Sequence, residues 1–217
     1  PKHELVIRNL AFPGDTVDKR PRNKGFMAAE DYLKHVAADV IFVFFGYNES
    51  FAGQDGVSDF KKKLSDMIES YRGLKPNGET EPRFVLFSPI AHEDLDDPDL
   101  PDGSANNVRL AVYSKAIQEV AGEKKVTFMD IFEPTKKLYD THDAPLTING
   151  IHLNEQGDRY LAQAITEGLL GKAAAESSPS DALREAVKDK DWHWFNRYRA
   201  TDGNDVWGGR STLKFVD

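Results

Sequence analysis

The run Val40 to Phe45, VIFVFF, constrains the fold more than any other stretch of the chain. Six consecutive apolar residues, β-branched or aromatic, leave no polar face, so the segment predicts a strand covered on both sides by helices. It ends in a polar cluster, Gly46-Tyr47-Asn48-Glu49-Ser50. Arg83 to Ile90 (RFVLFSPI) and Val126 to Phe132 (VTFMDIF) repeat the pattern. Glu4 to Leu10 (ELVIRNL), closed by Pro13-Gly14, reads as a further strand and turn, and Asp15 to Gly25 as a solvated loop.

Segments of helical period alternate with these runs. Phe26 to Val36 is the first, and Val57 to Leu74 follows with Phe60, Leu64, Met67, Ile68 and Tyr71 on one face. Asn106 to Lys125 repeats the period, and Asn154 to Leu170 does so with Asn154 placed to cap it. Alternating strands and helices predict an α/β fold whose parallel sheet carries helices on both faces. Such sheets bind ligands at the carboxyl ends of their strands, which puts Gly14, Asn48, the Ser88 to His92 turn and the loop around His152 on one rim.

Residues 1–170 therefore form the main domain. GKAAAESSPS (171–180) is a linker, and 181–217 is a helical extension rich in aromatic residues, with Trp192, Trp194, Phe195, Tyr198 and Trp207. That much aromatic surface predicts docking on the main domain or on a partner. The net charge of −8 argues against a basic nucleic-acid or anionic-lipid surface. The absence of cysteine excludes disulfides, thiolate metal sites and cysteine nucleophiles. No apolar run reaches the ~18 residues of a membrane span. The chain opens on Pro1 with a strand starting at Glu4, which predicts a processed or truncated piece of a longer protein.

Three motifs stand in order at the predicted strand ends: Arg8-Asn9-Leu10 running to Gly14-Asp15-Thr16, then Gly46-Tyr47-Asn48-Glu49, then Asn149-Gly150-Ile151-His152-Leu153. Together they resemble the second, third and fifth sequence blocks of the SGNH (GDSL-like) hydrolase superfamily, over residues 4 to 170. The texture of the chain also resembles a branch of that superfamily found in large secreted bacterial proteins. The resemblance implies a three-layer α/β/α sandwich with a flavodoxin-like sheet and a periplasmic or secreted location. The implied activity is hydrolysis of small or carbohydrate-linked esters, with no cofactor and no metal. Gly14 (backbone N–H) and Asn48 (side-chain amide) would be the oxyanion-hole donors and His152 the general base. A tetrahedral acyl-transfer intermediate needs preorganised neutral donors of this kind.

The chain departs from the family pattern at two points. Asn149 stands where the family has an aspartate, three residues before the histidine. An amide can fix the imidazole tautomer but offers it no negative charge, and Asp143 and Asp158 are the nearby acids that could substitute. The block that carries the serine nucleophile is missing, and Ser50, Ser88 and Ser104 stand in other contexts. The serine then lies upstream, on a separate fragment, or has been lost, and the alternative function is a catalytically inactive ligand-binding or assembly domain of a larger secreted protein.

Simpler roles exist for each residue. His152 can be a helix-entry residue, Asn48 a turn cap after a buried strand, and Gly14 plain turn chemistry. The stretch from His92 to Asp102 has the oxygen and nitrogen donors of a cation site but neither register nor continuity, so it reads as a solvated acidic loop.

Overall fold

The computed structural model describes residues 5–22, 24–171 and 181–198. Among them, β1 (Val40–Val43), β2 (Arg83–Phe87) and β3 (Thr127–Met129) form a parallel sheet in that spatial order. Val40 pairs with Arg83 and Val43 with Leu86, while Val85 pairs with Thr127 and Phe87 with Met129. The helices between them are α1 (Ala29–His35), α2 (Val57–Leu74), α3 (Ser104–Lys124), α4 (Phe132–Thr141) and α5 (Glu155–Leu170). Two short 3-10 turns, Glu49–Ala52 and Gln54–Gly56, follow β1.

The two-residue alternation of β2 sorts the core into layers. Phe84 and Leu86 face α2 and α3, where they join Phe60, Leu64, Ile68, Tyr113 and Ile117. Val85 and Phe87 face the other way and pack against Leu161, Ile165 and Leu169 of α5. Helices thus cover both faces of a parallel sheet, as the sequence predicts for an α/β sandwich. The apolar face of α2 lies at the predicted positions, and the helix ends at Lys75, which turns into the left-handed region (φ 43°) just ahead of Pro76.

Two expectations are corrected. Among the described residues β1 lies at the sheet edge and only one of its faces is sealed: Val43 is buried, whereas Phe42 and Phe44 are about half exposed. Their rings lean on Phe87, with Phe44 stacked on it at a centroid distance of 4.1 Å. α5 covers the β2–β3 part of that face, and the continuous apolar run reads the same whether the second cover is present or not. Residues 5–10 form no strand, and Leu5, Val6 and Ile7 are exposed. Strand propensity needs a ladder partner to become a strand, and this segment pairs with no described neighbour.

The chain divides into two compact units, residues 1–20 with 28–172 and residues 21–27 with 173–217. The first contains the sheet and α1 to α5. The second contains α6 (Asp181–Tyr198), the helix expected from the extension. Linker residues 172–180 and Trp207 lie outside the described residues.

Candidate active site

The turn after β1 is organised by Glu49. Its carboxylate accepts hydrogen bonds from the backbone N–H of Val17 (2.8 Å) and of Gly46 (2.9 Å). The segment 14–19 is thereby drawn onto the strand end. Asn48 adds to the join by donating from its side-chain amide to the carbonyl of Asp15 at 3.0 Å. Asn48, expected to be an oxyanion donor with Gly14, thus joins the loop that carries Gly14 at the neighbouring residue, Asp15. One amide hydrogen of Asn48 is committed to Asp15, and the amide has a second to offer. Gly14 adopts φ 81°, a conformation in which a side chain would be strained.

His152 lies on the returning arm of a loop folded back on itself. Ile148 N–H donates to the His152 carbonyl (2.8 Å), Asn154 N–H to the Leu146 carbonyl (2.9 Å), and the Asn154 amide to the Pro145 carbonyl (2.7 Å). Asn154 then caps α5, its side-chain oxygen accepting from Gln156 and Gly157. α5 starts so close beneath the loop that a Cβ on Gly157 would sit 2.2 Å from the Leu146 carbonyl oxygen.

Asn149 Oδ1 lies 3.0 Å from His152 Nδ1 and also accepts from the backbone N–H of His152 (3.1 Å) and of Ile151 (3.4 Å). Backbone N–H groups only donate, so the amide atom facing them is the oxygen, and the ring nitrogen beside it must carry the proton. In the neutral ring Nε2 then keeps the lone pair. Asn149 is thus the group that Nδ1 meets, while Asp143 and Asp158 both lie exposed. The side chain of His152 is exposed too, as a base acting on a bound ester needs to be.

The serines are engaged elsewhere. Ser50 donates to the Tyr47 carbonyl (2.7 Å) and Ser104 to Asp102 (2.8 Å). Ser88 is buried, donating to Asp130 (2.9 Å) while accepting from the N–H groups of Ile131 and Phe132. It ties the carboxyl ends of β2 and β3 together.

The stretch from His92 to Asp102 is only partly the solvated loop expected. Asp94, Asp96, Asp97, Asp99 and Asp102 are exposed, but His92 and Glu93 are each 5% exposed. Both are buried because α3 and the His152 loop close over them, a long-range effect that local composition does not carry. Burial lowers the pKa of His92, opposed by the Pro101 carbonyl and the charges of Asp102 and Asp94. Burial first, then the charge of Glu93, pushes the Tyr139 phenol up. No group of three or more His, Asp or Glu side chains among the described residues is arranged to bind a metal ion. None of the described helices is long and apolar enough to cross a membrane.

The parallel α/β sandwich thus carries a His–Asn pair on the loop before α5, and an Asn48–Asp15 bond that joins the turn after β1 to the 14–19 segment. The sequence profile of the GDSL-like lipase/acylhydrolase family matches residues 2–160, and the chain belongs to that family. Two variants of an acetylxylan esterase from Geobacillus stearothermophilus share the fold. They superpose with TM-scores of 0.51 and 0.50 at 15% and 14% identity, over 67% and 65% of this chain. The chain spans less than two thirds of those esterases, 66% and 64% of their lengths. No functionally curated protein matches the sequence.

Proposed function

We propose that this domain hydrolyses small or carbohydrate-linked esters, with His152 as general base, Asn149 as the group that orients it, and Gly14 and Asn48 as oxyanion donors. The observation that carries this reading is the Asn149–His152 hydrogen bond, which leaves Nε2 unprotonated and free to take a proton from an attacking hydroxyl. Asn149 supplies orientation without charge, so the base is weaker than one backed by a carboxylate. Ser50, Ser88 and Ser104 are all engaged in local hydrogen bonds, so the attacking oxygen in this reading comes from elsewhere. Acetylated xylo-oligosaccharides are the first substrates to try, by analogy with the Geobacillus esterase. A periplasmic or secreted location, with the 181–217 extension docking on the domain or a partner, belongs to the same proposal.

The committed serines also favour a second reading, a ligand-binding or assembly domain that keeps the scaffold without the chemistry. Hydrolysis of nitrophenyl acetate and of acetylated xylo-oligosaccharide by the full-length protein and by its His152→Ala and Asn48→Ala variants separates the two. The esterase reading expects Asn48→Ala to lose about 10²–10³ in kcat and His152→Ala about 10²–10⁴. Equal rates in wild type and His152→Ala leave only the binding role.

A further inference from the structure

We propose that Glu93, backed by His92, is the positioning residue for the His152 loop, a role that rests on reading His152 as the base. A carboxylate that is only 5% exposed must be fully paired to be tolerated. Glu93 is paired almost wholly with one loop. Its Oε1 accepts from Leu146 N–H (2.9 Å), and its Oε2 from Thr147 N–H (2.7 Å) and the Thr147 hydroxyl (2.6 Å), with Leu146 N–H shared at 3.1 Å. These are short, charge-assisted hydrogen bonds converging from two consecutive residues.

The grip reaches the far side of the loop. Thr147 Oγ1, having donated to Glu93, accepts from Gly150 N–H at 2.9 Å, and Glu93 N–H donates to the Gly150 carbonyl at 2.9 Å. One residue thus fixes the loop at 146–147 through its side chain and at 150 through its backbone. Ile148 and Asn149 are left projecting between the two fixed points, and Asn149 meets the His152 ring.

His92 fills the space behind. A Cβ on Gly150 would lie 2.4 Å from His92 Nε2, and one on Gly103 would lie 2.6 Å from His92 Cδ2, so the ring is wedged between two backbones. Asn107 grips the His92 backbone on both sides, accepting from its N–H and donating to its carbonyl, each at 2.8 Å. The Asn106 amide faces His92 Nδ1 at 2.8 Å, and its oxygen accepts from the Arg109 guanidinium. Arg109 only donates, which fixes the amide so that its NH₂ group points at the ring and His92 Nδ1 is the acceptor.

The test uses the full chain with Glu93→Gln, Thr147→Val and Thr147→Ser. Thr147→Val keeps the shape but severs the relay between Glu93 and Gly150, and Thr147→Ser retains it. Two readouts are taken: the protonated ring nitrogen of neutral His152 from 15N-resolved imidazole spectra, and steady-state acetyl-ester hydrolysis. Glu93→Gln and Thr147→Val are expected to lower kcat by about 10- to 100-fold with KM unchanged, since a misplacement of ~1 Å has that effect. Both should also erase the Nδ1–H preference of His152, and Thr147→Ser should restore both readouts.

If Glu93→Gln does not fold, the Thr147 pair decides. Folded Thr147→Val that keeps the wild-type ring tautomer overturns the positioning role. Hydrolysis that needs His152 yet ignores Glu93 and Thr147 also overturns it while leaving the esterase intact. A tautomer that responds in a protein hydrolysing no ester supports the positioning role and removes the esterase reading.

Discussion

The wedge of His92 against the loop predicts an unusually large cost for a single methyl group at Gly150. This residue adopts φ 86°, and an added Cβ would meet His92 Nε2 at 2.4 Å, Cδ2 at 2.7 Å and the Glu93 carbonyl oxygen at 2.9 Å. The His92 ring has no room to retreat, and the carbonyl is backbone. Left-handed strain costs about 1–2 kcal/mol and overpacking about 1–3 kcal/mol, so Gly150→Ala should lose about 2–5 kcal/mol. Gly78 supplies the control: its φ is 82° and an added Cβ would meet nothing within 4 Å, so Gly78→Ala should show the strain alone.

Urea unfolding followed by far-UV circular dichroism measures both variants. Tryptophan fluorescence would not serve, because Trp192, Trp194 and Trp207 all belong to the C-terminal unit. A Gly150→Ala loss no larger than that of Gly78→Ala would refute the packing of His92 behind the loop.

Ser88→Ala should cost about 1–3 kcal/mol, because the buried N–H of Ile131 loses its acceptor while that of Phe132 keeps Asp130, and any ester hydrolysis per folded molecule stays at the wild-type level. Lost hydrolysis with unchanged stability would contradict that assignment. His92 makes stability depend on pH. Its pKa is held below 6.5 by burial, so the unfolded chain binds the proton more readily and stability falls as pH drops through 6.5 toward the folded value. Asp94 and Asp102 oppose the shift without reversing it. Urea midpoints of the wild type should therefore fall between about pH 7.5 and about pH 5 by more than those of His92→Gln. Equal falls in the two proteins would remove His92 as the source.

The parts legible in the sequence are those whose cause is local. β2 and the apolar face of α2 follow from periodicity, because every residue that decides them is in the same element. The Asn149–His152 contact was suggested by the family resemblance, which puts the orienting residue three positions before the histidine, and it too is local. What was not legible has its cause far away in the chain. Glu93 looks like one more acid in an acidic stretch until Leu146 and Thr147, more than fifty residues on, close over it. Phe42 and Phe44 look like core, and only strand order shows that β1 is an edge. Glu49 was in view within the GYNES cluster, but its duty depends on Val17, thirty-two residues earlier.

Glu49 and Glu93 use one device twice. Each follows a strand of the same parallel sheet, Glu49 after β1 and Glu93 after β2, and each carboxylate accepts from the backbone of a distant loop: Glu49 from Val17 as well as from Gly46 in its own turn, Glu93 from Leu146 and Thr147. A carboxylate suits this because it only accepts, with about four lone-pair sites, so donors can converge on it without competition. Glu49 thereby sets the 14–19 segment with Gly14, and Glu93 sets the 146–150 segment with Asn149. The two halves of the candidate site then have separate anchors that share no hydrogen-bond partner. Separate anchors predict additivity: Glu49→Gln and Glu93→Gln should combine in stability to within about 0.5 kcal/mol of the sum of the single losses. The same pair should separate in spectra, with Glu93→Gln shifting the His152 ring tautomer and Glu49→Gln shifting only the amides of residues 14–19. Strong coupling in the cycle, or a His152 ring that responds equally to both, would mean that the loops form one cooperative unit and that neither acid positions its own half.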